Sequence, residues 1–172
     1  MKRLETYIHE AKAKCTCYML IGIPGAGKST WCHTKHPDLP VVSRDIIRSQ
    51  GEGYDYKEYC LGFTKDSDEK AVLDFRKEQQ VTDKERELMK KLIKEGKDFI
   101  MDDTNLKRKY RKQTVQWLRT LGVKIIAVYF DTPLETCIKR REGQIDAETM
   151  KKIASGLTMP EKDEYDELIK VK

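Results

Sequence analysis

Short apolar runs alternate along the chain with longer segments in which apolar residues recur at helical spacing. The runs predict four strands, at residues 16–21, 41–43, 98–102 and 123–130. The last strand has too many apolar residues for the edge of a sheet, so it is expected inside one. Strands that alternate with helices predict βαβ units, and hence a single α/β domain with a parallel sheet over residues 1–172.

The segments between the strands carry helix signals. One helix is predicted from Lys28, directly after the glycines that follow the first strand, and a second begins near Asp45. The charge-rich stretch 66–95 has an apolar stripe at helical spacing and ends at a glycine. Within this stretch, Thr82 and Glu85 have the spacing of a capping box and are interpreted as a helix start.

Further helices are predicted in the second half of the chain. Residues 106–121 fit a helix that Gly122 closes. Thr132 is followed by proline and, three residues on, by glutamate, which indicates a capped helix start. Asp146 gives another start, and the acidic stretch 161–167 is interpreted as the face of a terminal helix.

The strongest motif lies between the first strand and the first helix. Residues 22–29 read Gly-Ile-Pro-Gly-Ala-Gly-Lys-Ser, which fits G-x-x-x-x-G-K-[ST] in its proper context. Such a loop wraps backbone N–H groups around phosphate, with Lys28 on the β- and γ-phosphates and Ser29 on Mg²⁺. The chain is therefore expected to bind ATP or another nucleoside triphosphate together with Mg²⁺. The residues assigned to this site are Gly25, Ala26, Gly27, Lys28, Ser29 and Thr30.

Acidic residues follow three of the predicted strands, at the edge where an open parallel sheet binds ligands. Phosphoryl transfer needs a carboxylate that accepts the proton of the acceptor hydroxyl, and cations over the transferring group. Asp45 and Arg48 share one helical face, so that one could take a proton while the other binds an anionic substrate. A helix N-cap beside a solvated arginine is equally consistent with this spacing.

Five segments together resemble the bacteriophage-type polynucleotide 5′-kinases, in the same order and over most of the chain. The phosphate loop, residues 22–31, is similar to that of the family, and Ser-Arg-Asp-Ile-Ile-Arg at 43–48 resembles its Asn-Arg-Asp-Asp-x-Arg. Asp-Thr-Asn-Leu at 103–106 resembles the same four residues of the family. Phe-Asp-x-Pro at 130–133, with the basic residues 139–141, resembles the approach to its lid. The phosphatase signature of the end-healing enzymes is absent from the sequence.

This resemblance implies a P-loop kinase fold whose lid spans residues 137–147 and which transfers the γ-phosphate of ATP to 5′-hydroxyl ends of RNA or DNA. In such an enzyme Asp45 would be the general base and Arg48 would bind the 3′-phosphate of the acceptor nucleotide. Asp103 and Thr104 would line the acceptor site, and Asp103 is favoured over its neighbour Asp102 as the working acid.

The lid arginines follow from the same resemblance. Arg141 is preferred as the catalytic contact to the transferring phosphoryl group, and Arg140 is assigned to nucleotide binding. The lid is shorter here than in the family, so either arginine could serve at the phosphoryl group.

Composition and charge narrow the setting. With 34 basic and 29 acidic residues the net charge is +5, which is compatible with a nucleic-acid partner but does not require one. Five cations crowd residues 107–112 around Tyr110; this is interpreted as a solvated helix face, with contact to nucleic acid as the alternative. An aromatic group between the second strand and the long helix is interpreted as packing of a connecting segment, or as a wall of the substrate site. Its members are Tyr54, Tyr56, Tyr59 and Phe63.

No apolar run approaches the roughly 18 residues that cross a bilayer, so no membrane association is expected. The first residues lack the apolar region of a signal peptide, which predicts a cytoplasmic protein, either cellular or encoded by a phage in its host. Self-association is left open.

Two other functions compete with the kinase of polynucleotide ends. One is a P-loop kinase for a small molecule, a nucleoside or a sugar nucleotide, which would be indifferent to oligonucleotides. The other is an ATPase switch that transfers phosphate to no acceptor; it needs a residue that positions water, whereas Asp45 with Arg48 suits an acceptor.

Overall fold

A five-stranded parallel sheet with helices on both faces forms the core of the protein. The computed structural model describes residues 13–50 and 68–172, with the side chains of its longest helix from residue 76 onward. The strand order is β2-β3-β1-β4-β5. In chain order the elements are β1 Cys15–Ile21, α1 Lys28–Lys35, β2 Val41–Val42, α2 Arg44–Ser49, α3 Asp68–Lys94, β3 Phe99–Met101, α4 Arg108–Thr120, β4 Val123–Phe130, α5 Leu134–Arg140, α6 Ala147–Ser155, a 3₁₀ helix Lys162–Glu164 and β5 Glu167–Val171.

The central strand β1 pairs with β3 on one side and with β4 on the other. Its side chains alternate between two apolar clusters, as the period of two in a strand requires. Met19 points into the cluster that α3 and α4 cover, whereas Leu20 points into the cluster that α1, α5 and α6 cover. Because β1 is fixed on both faces, the loop that follows it emerges at the middle of the carboxyl edge of the sheet.

The predicted parallel α/β fold is confirmed, including β4 inside the sheet, but a fifth strand was not predicted. The acidic stretch 161–167 is not a helix: it holds one 3₁₀ turn and then enters β5, which pairs in parallel with β4. Tyr165 is buried at this point, and the backbone N–H of Asp166 donates to the carbonyl of Ile125. Charged residues within β5 hide its strand pattern in the sequence.

Two predicted helix caps are wrong and one is confirmed. Thr82 and Glu85 do not begin a helix, because α3 starts earlier and both lie inside it. The hydroxyl of Thr132 does not cap α5; it donates to the carbonyl of Ala26 in the phosphate loop, 2.9 Å away. Asp146 does cap α6 and accepts from the backbone N–H of Thr149 at 2.8 Å.

The basic start of α4 is partly neutralised within the protein. The Arg108 guanidinium donates to both carboxyl oxygens of Glu161, at 2.7 and 2.6 Å. Arg111 is buried and lies 3.3 Å from the carboxyl of Glu164. Two of the five cations are therefore structural, which the interpretation as a solvated face did not include. The aromatic group at 54–63 lies outside the described residues, and across the described parts of the chain no helix is long and apolar enough to cross a membrane.

Candidate active site

The phosphate loop has the backbone shape that its glycines permit. Gly25 and Gly27 have φ angles of 81° and 100°, in the left-handed region that side chains rarely adopt. Gly27 is the N-cap of α1, and no side chain caps this helix. The first N–H groups of α1 therefore point at the loop, where the positive end of the helix dipole favours an anion.

Lys28 lies largely enclosed under this loop. Its ammonium donates to the carbonyls of Gly22 and Ile23, at 2.9 and 3.1 Å. Burial lowers the pKa of Lys28, while the nearby carboxylates of Asp102 and Asp45 act in the opposite direction. Because the Lys28 ammonium is held by carbonyls of the phosphate loop itself, a small rotation of its side chain suffices to bring it to a phosphate bound in that loop.

Helix α5 and the residues after it, which include the predicted lid, pack directly on the phosphate loop. Arg140 donates to the carbonyl of Gly25 at 3.0 Å. A Cβ atom on Gly25 would lie 2.9 Å from the carbonyl oxygen of Cys137 and 3.2 Å from Cγ of Arg141. Only glycine therefore fits where the lid approaches the loop.

Two cavities meet at the phosphate loop. The first, named the donor groove for the role proposed for it, has a volume of about 810 Å³ and is lined by predicted nucleotide-binding residues of the loop and by Arg140 and Arg141. The second, named the acceptor cavity in the same way, has a volume of about 490 Å³ and is lined by Lys28, Asp45, Arg48 and other predicted residues. Ser29 and Arg141 line both of them. The predicted residues in the donor groove are Gly25, Ala26, Gly27, Ser29, Thr30, Arg140 and Arg141; those in the acceptor cavity are Lys28, Ser29, Asp45, Arg48, Asp103, Thr104 and Arg141.

Asp45 and Arg48 form an ion pair across one turn of α2, with 2.8 Å between Oδ1 and the guanidinium. Arg48 is not the solvated arginine of the simpler interpretation, because its side chain is only 11% exposed. It also donates to both carboxyl oxygens of Glu78 on α3, each at 3.0 Å. Asp45, by contrast, has 57% of its side chain exposed and faces the cavity.

The other arginine of α2, Arg44, is held by the same face of α3. Its guanidinium donates to Glu78 and Glu85, at 2.9 and 3.0 Å, and to the hydroxyl of Thr82 at 3.1 Å. The backbone N–H of Arg44 donates to Asp103 at 3.1 Å. Residues from α3 and from the end of β3 therefore fix the helix that carries Asp45 and Arg48.

The sequence analysis favoured Asp103 over Asp102 and did not predict the supporting residues on α3. Asp102 lines the acceptor cavity beside Lys28, and burial raises the pKa of its carboxyl while Lys28 opposes that rise. Asp103 instead faces Arg44 and Glu85. Asp102 follows the same strand, so its position at the strand end was a signal; the role of Glu85 was obscured by its fit to a capping box.

The carboxyl groups of Glu85 and Asp103 lie close together, with fewer hydrogen-bond donors around them than their oxygens can accept from. Oε1 of Glu85 and Oδ2 of Asp103 are both buried, and neither has a hydrogen-bond donor among the described residues. Burial raises the pKa of the Asp103 carboxyl well above its usual range, and the neighbouring Glu85 carboxyl raises it further. A proton on Asp103, shared with Glu85, satisfies both oxygens.

Stability should therefore fall as this proton is lost. The unfolded pKa of aspartate is about 3.9 and the folded pKa of Asp103 is higher, so the folded chain binds the extra proton between them. The stabilisation is complete below about pH 3.9 and disappears as the pH rises through the folded pKa. Glu85→Gln supplies a permanent N–H donor, so we expect its Tm to decline less than that of the wild type as the pH rises from about 3.9 through the folded pKa of Asp103. The expected difference is about 1–3 kcal/mol, or roughly 2–10 °C, measured by calorimetry.

The matched control is Glu87→Gln, at an exposed position two residues further along α3. It should reproduce the wild-type dependence of Tm on pH. Parallel curves for Glu85→Gln and the wild type would show that no proton is shared at this pair.

The oxygen atoms near the phosphate loop could supply some of the ligands of a Mg²⁺ ion. The Ser29 hydroxyl and the Asp102 carboxylate line the same cavity, and hydroxyl and carboxylate oxygens are hard ligands that this ion prefers. Within the described ranges no three His, Cys, Asp or Glu side chains cluster closely enough to hold a metal ion. A Mg²⁺ ion here would take its remaining ligands from phosphate oxygens and water, as this ion usually does.

The fold and this site define a kinase-like P-loop enzyme. The sequence profile of the AAA domain family matches residues 18–156, which is most of the chain. The chain belongs to this family.

Solved structures of kinases share the fold. A candidate kinase from Chloroflexus aurantiacus covers 92% of this chain and 85% of its own, with a TM-score of 0.67 at 16% identity. A gluconokinase from Sinorhizobium meliloti covers 93% and 83%, with a TM-score of 0.58 at 13% identity. A chain of the Pnkp1/Rnl/Hen1 complex covers 84% of this chain and 43% of its own, with a TM-score of 0.57 at 21% identity.

Among curated proteins, transcription factor bHLH140 from Arabidopsis thaliana is 28% identical over 137 residues, or 77% of this chain. This chain spans 12% of the length of that relative.

Proposed function

We propose that this protein is a polynucleotide 5′-hydroxyl kinase, which transfers the γ-phosphate of ATP to 5′-hydroxyl ends of RNA or DNA. The observation that carries the proposal is the pair of cavities that meet at Ser29 and Arg141. One suits a nucleotide donor, and the other presents an exposed carboxylate beside a restrained arginine. An enzyme that only hydrolyses ATP has no need of this second cavity. Repair of broken strand ends is the setting that this activity would serve.

On the acceptor side, Asp45 accepts the proton of the attacking hydroxyl. Its side chain is the exposed partner of an ion pair, so it can reach an acceptor while Arg48 keeps it oriented. Arg48 lines the same cavity with its position fixed by Glu78, and it would bind the 3′-phosphate of the acceptor nucleotide by exchanging a carboxylate partner for the phosphate. Asp103 and Thr104 complete the wall of this cavity.

At the phosphate loop, where the two cavities meet, Lys28 and the N-terminus of α1 bind the phosphates, and Ser29 with Asp102 would hold Mg²⁺. Mg²⁺ would neutralise charge on the phosphates when bound. Arg141 lines both cavities and stabilises the charge that develops on the transferring phosphoryl group, whereas Arg140 lines the donor groove alone. This difference favours Arg141 as the catalytic arginine of the lid.

A small-molecule kinase is the second candidate. The gluconokinase among the structural neighbours shares this fold, and an acceptor cavity of about 490 Å³ also accommodates a sugar acid. The polynucleotide acceptor is preferred because the segments 43–48 and 103–106, which resemble those of the polynucleotide kinases, both line the acceptor cavity.

The deciding experiment incubates the protein with γ-labelled ATP, Mg²⁺ and one acceptor: a 5′-hydroxyl oligonucleotide, the same strand with a 5′-phosphate, gluconate, or none. We expect label on the 5′-hydroxyl strand only. Label on gluconate would favour the second candidate, and free phosphate in every tube would indicate an ATPase. Because 5′-phosphate and 5′-hydroxyl strands differ only at the reacting atom, they are matched controls for each other.

A further inference from the structure

A third cavity adjoins the acceptor cavity and has no part in the chemistry described above. It has a volume of about 660 Å³ and lies between α3 and α4, at the carboxyl end of β3. Arg44, Asp103, Thr104 and Leu106 line both this cavity and the acceptor cavity. A ligand chain that leaves the acceptor cavity past these residues therefore enters the space between α3 and α4.

One face of α4 and the residue before it provide the outer wall. Lys107, Tyr110, Gln113 and Trp117 line the cavity at helical spacing. Tyr110 is 59% exposed, among the most exposed large rings of the described chain. On the opposite side, the guanidinium of Arg86 lies 5.5 Å from the centre of the Trp117 ring. The wall thus combines flat aromatic surface with positive charge.

The cations of this wall differ from their neighbours in the basic segment. Arg108 and Arg111 are engaged by Glu161 and Glu164. Lys107 is exposed and forms no ion pair with the residues that the structure describes. Packing of the C-terminal segment therefore accounts for the two arginines but not for Lys107 and Tyr110.

The inner end of the cavity offers hydrogen-bonding groups. Thr82, Glu85 and Gln113 line it, and Glu85 is buried. The side-chain amide of Gln113 carries both donors and an acceptor, which suit the edge of a nucleobase, whose face can stack on an aromatic ring.

From this arrangement we infer that the cavity between α3 and α4 binds the second nucleobase of the acceptor strand, with its phosphate near Lys107. The inference rests on the proposed function and extends it: the enzyme would favour strands over mononucleotides. Its substrate class is then an oligonucleotide with at least two bases after the reacting hydroxyl.

A binding experiment without ATP tests the site directly. The sequence has two tryptophans, so Trp31→Phe leaves Trp117 as the single indole reporter. We expect a 5′-hydroxyl trinucleotide to change Trp117 fluorescence at saturation, whereas a nucleoside 3′-phosphate should not. Tyr110→Ala should weaken trinucleotide binding about 5- to 150-fold, the range for loss of one stacked base, and Lys107→Gln should weaken it through loss of a phosphate contact. Lys109→Gln is the matched control, because Lys109 is exposed on the same helix but does not line the cavity.

Steady-state kinetics test the same site in a second way. The ratio of kcat/KM for the trinucleotide to that for the nucleoside 3′-phosphate should fall at least about fivefold in Tyr110→Ala. An unchanged ratio, or a trinucleotide that binds without any response of Trp117, would overturn the inference. If no acceptor is labelled but the trinucleotide still changes Trp117 fluorescence, the site stands and the proposed function fails. If label appears on the strand but Trp117 is silent, the function stands and the site is wrong.

Discussion

Asp45→Asn is expected to lower kcat for phosphorylation of a 5′-hydroxyl oligonucleotide about 10²–10⁴-fold, the usual contribution of a general base. Asparagine keeps the size of the side chain and its hydrogen bond to Arg48, but it cannot take the proton from the acceptor. The affinity for ATP should change little, because Asp45 lines the acceptor cavity and not the donor groove. Steady-state transfer of labelled phosphate measures the rate, and equilibrium titration measures ATP binding.

Folding can be separated from chemistry in this variant. The pair between Asp45 and Arg48 is exposed at the aspartate, so its loss should cost no more than about 1 kcal/mol. Asp38→Asn, at an exposed position outside both cavities, is the matched control and should retain full activity. Retention of more than about a tenth of the activity in Asp45→Asn would assign the base to another carboxylate, with Asp102 the next to replace.

Lys28→Ala is expected to lower kcat about 10²–10³-fold and to weaken ATP binding, since the variant loses the half-buried cation of the phosphate loop. The ammonium now contacts two carbonyls of its own loop, so the variant also leaves those carbonyls without a donor. We expect a small fall in Tm together with the large fall in rate. Calorimetry without ATP measures the fall in Tm, and single-turnover transfer at saturating ATP measures the fall in rate.

Lys90→Ala, an exposed lysine on α3, is the control for loss of a positive charge. It should match the wild type in both measurements. A Lys28→Ala enzyme that is slow only because ATP no longer saturates it would recover its rate at high ATP concentration. Full recovery would assign Lys28 to binding alone and would argue against its action on the transferring phosphate.

Local patterns sufficed for the elements that position the loop. An apolar strand, a glycine motif and a helix start are neighbours in sequence, so β1, the phosphate loop and α1 could be predicted together. The caps at Thr82 and Thr132 failed for the opposite reason. Each fits a local motif, but a longer helix passes through Thr82, and Thr132 bonds to the distant Ala26.

The residues that hold the candidate site in place could not be predicted from the sequence, because their roles depend on tertiary contacts. Arg44 meets Glu78 and Glu85 across 34 and 41 residues of chain, and nothing near any of these side chains indicates the contact. The choice between Asp102 and Asp103 could not be made from the sequence for a related reason. Two acids follow β3 in succession, and only the direction of each side chain decides that one faces Lys28 while the other faces Arg44.

The sheet order has a consequence for how the protein is made. The phosphate loop directly follows β1, which ends at Ile21. The strands that pair with β1, β3 and β4, begin only at Phe99 and Val123. During synthesis β1 therefore remains an unpaired apolar segment until β3 and β4 have left the ribosome. Formation of such distant strand pairs is slow, since long loops must close first. The nucleotide site can thus assemble only late, and incomplete chains expose an aggregation-prone strand instead of a partly active enzyme.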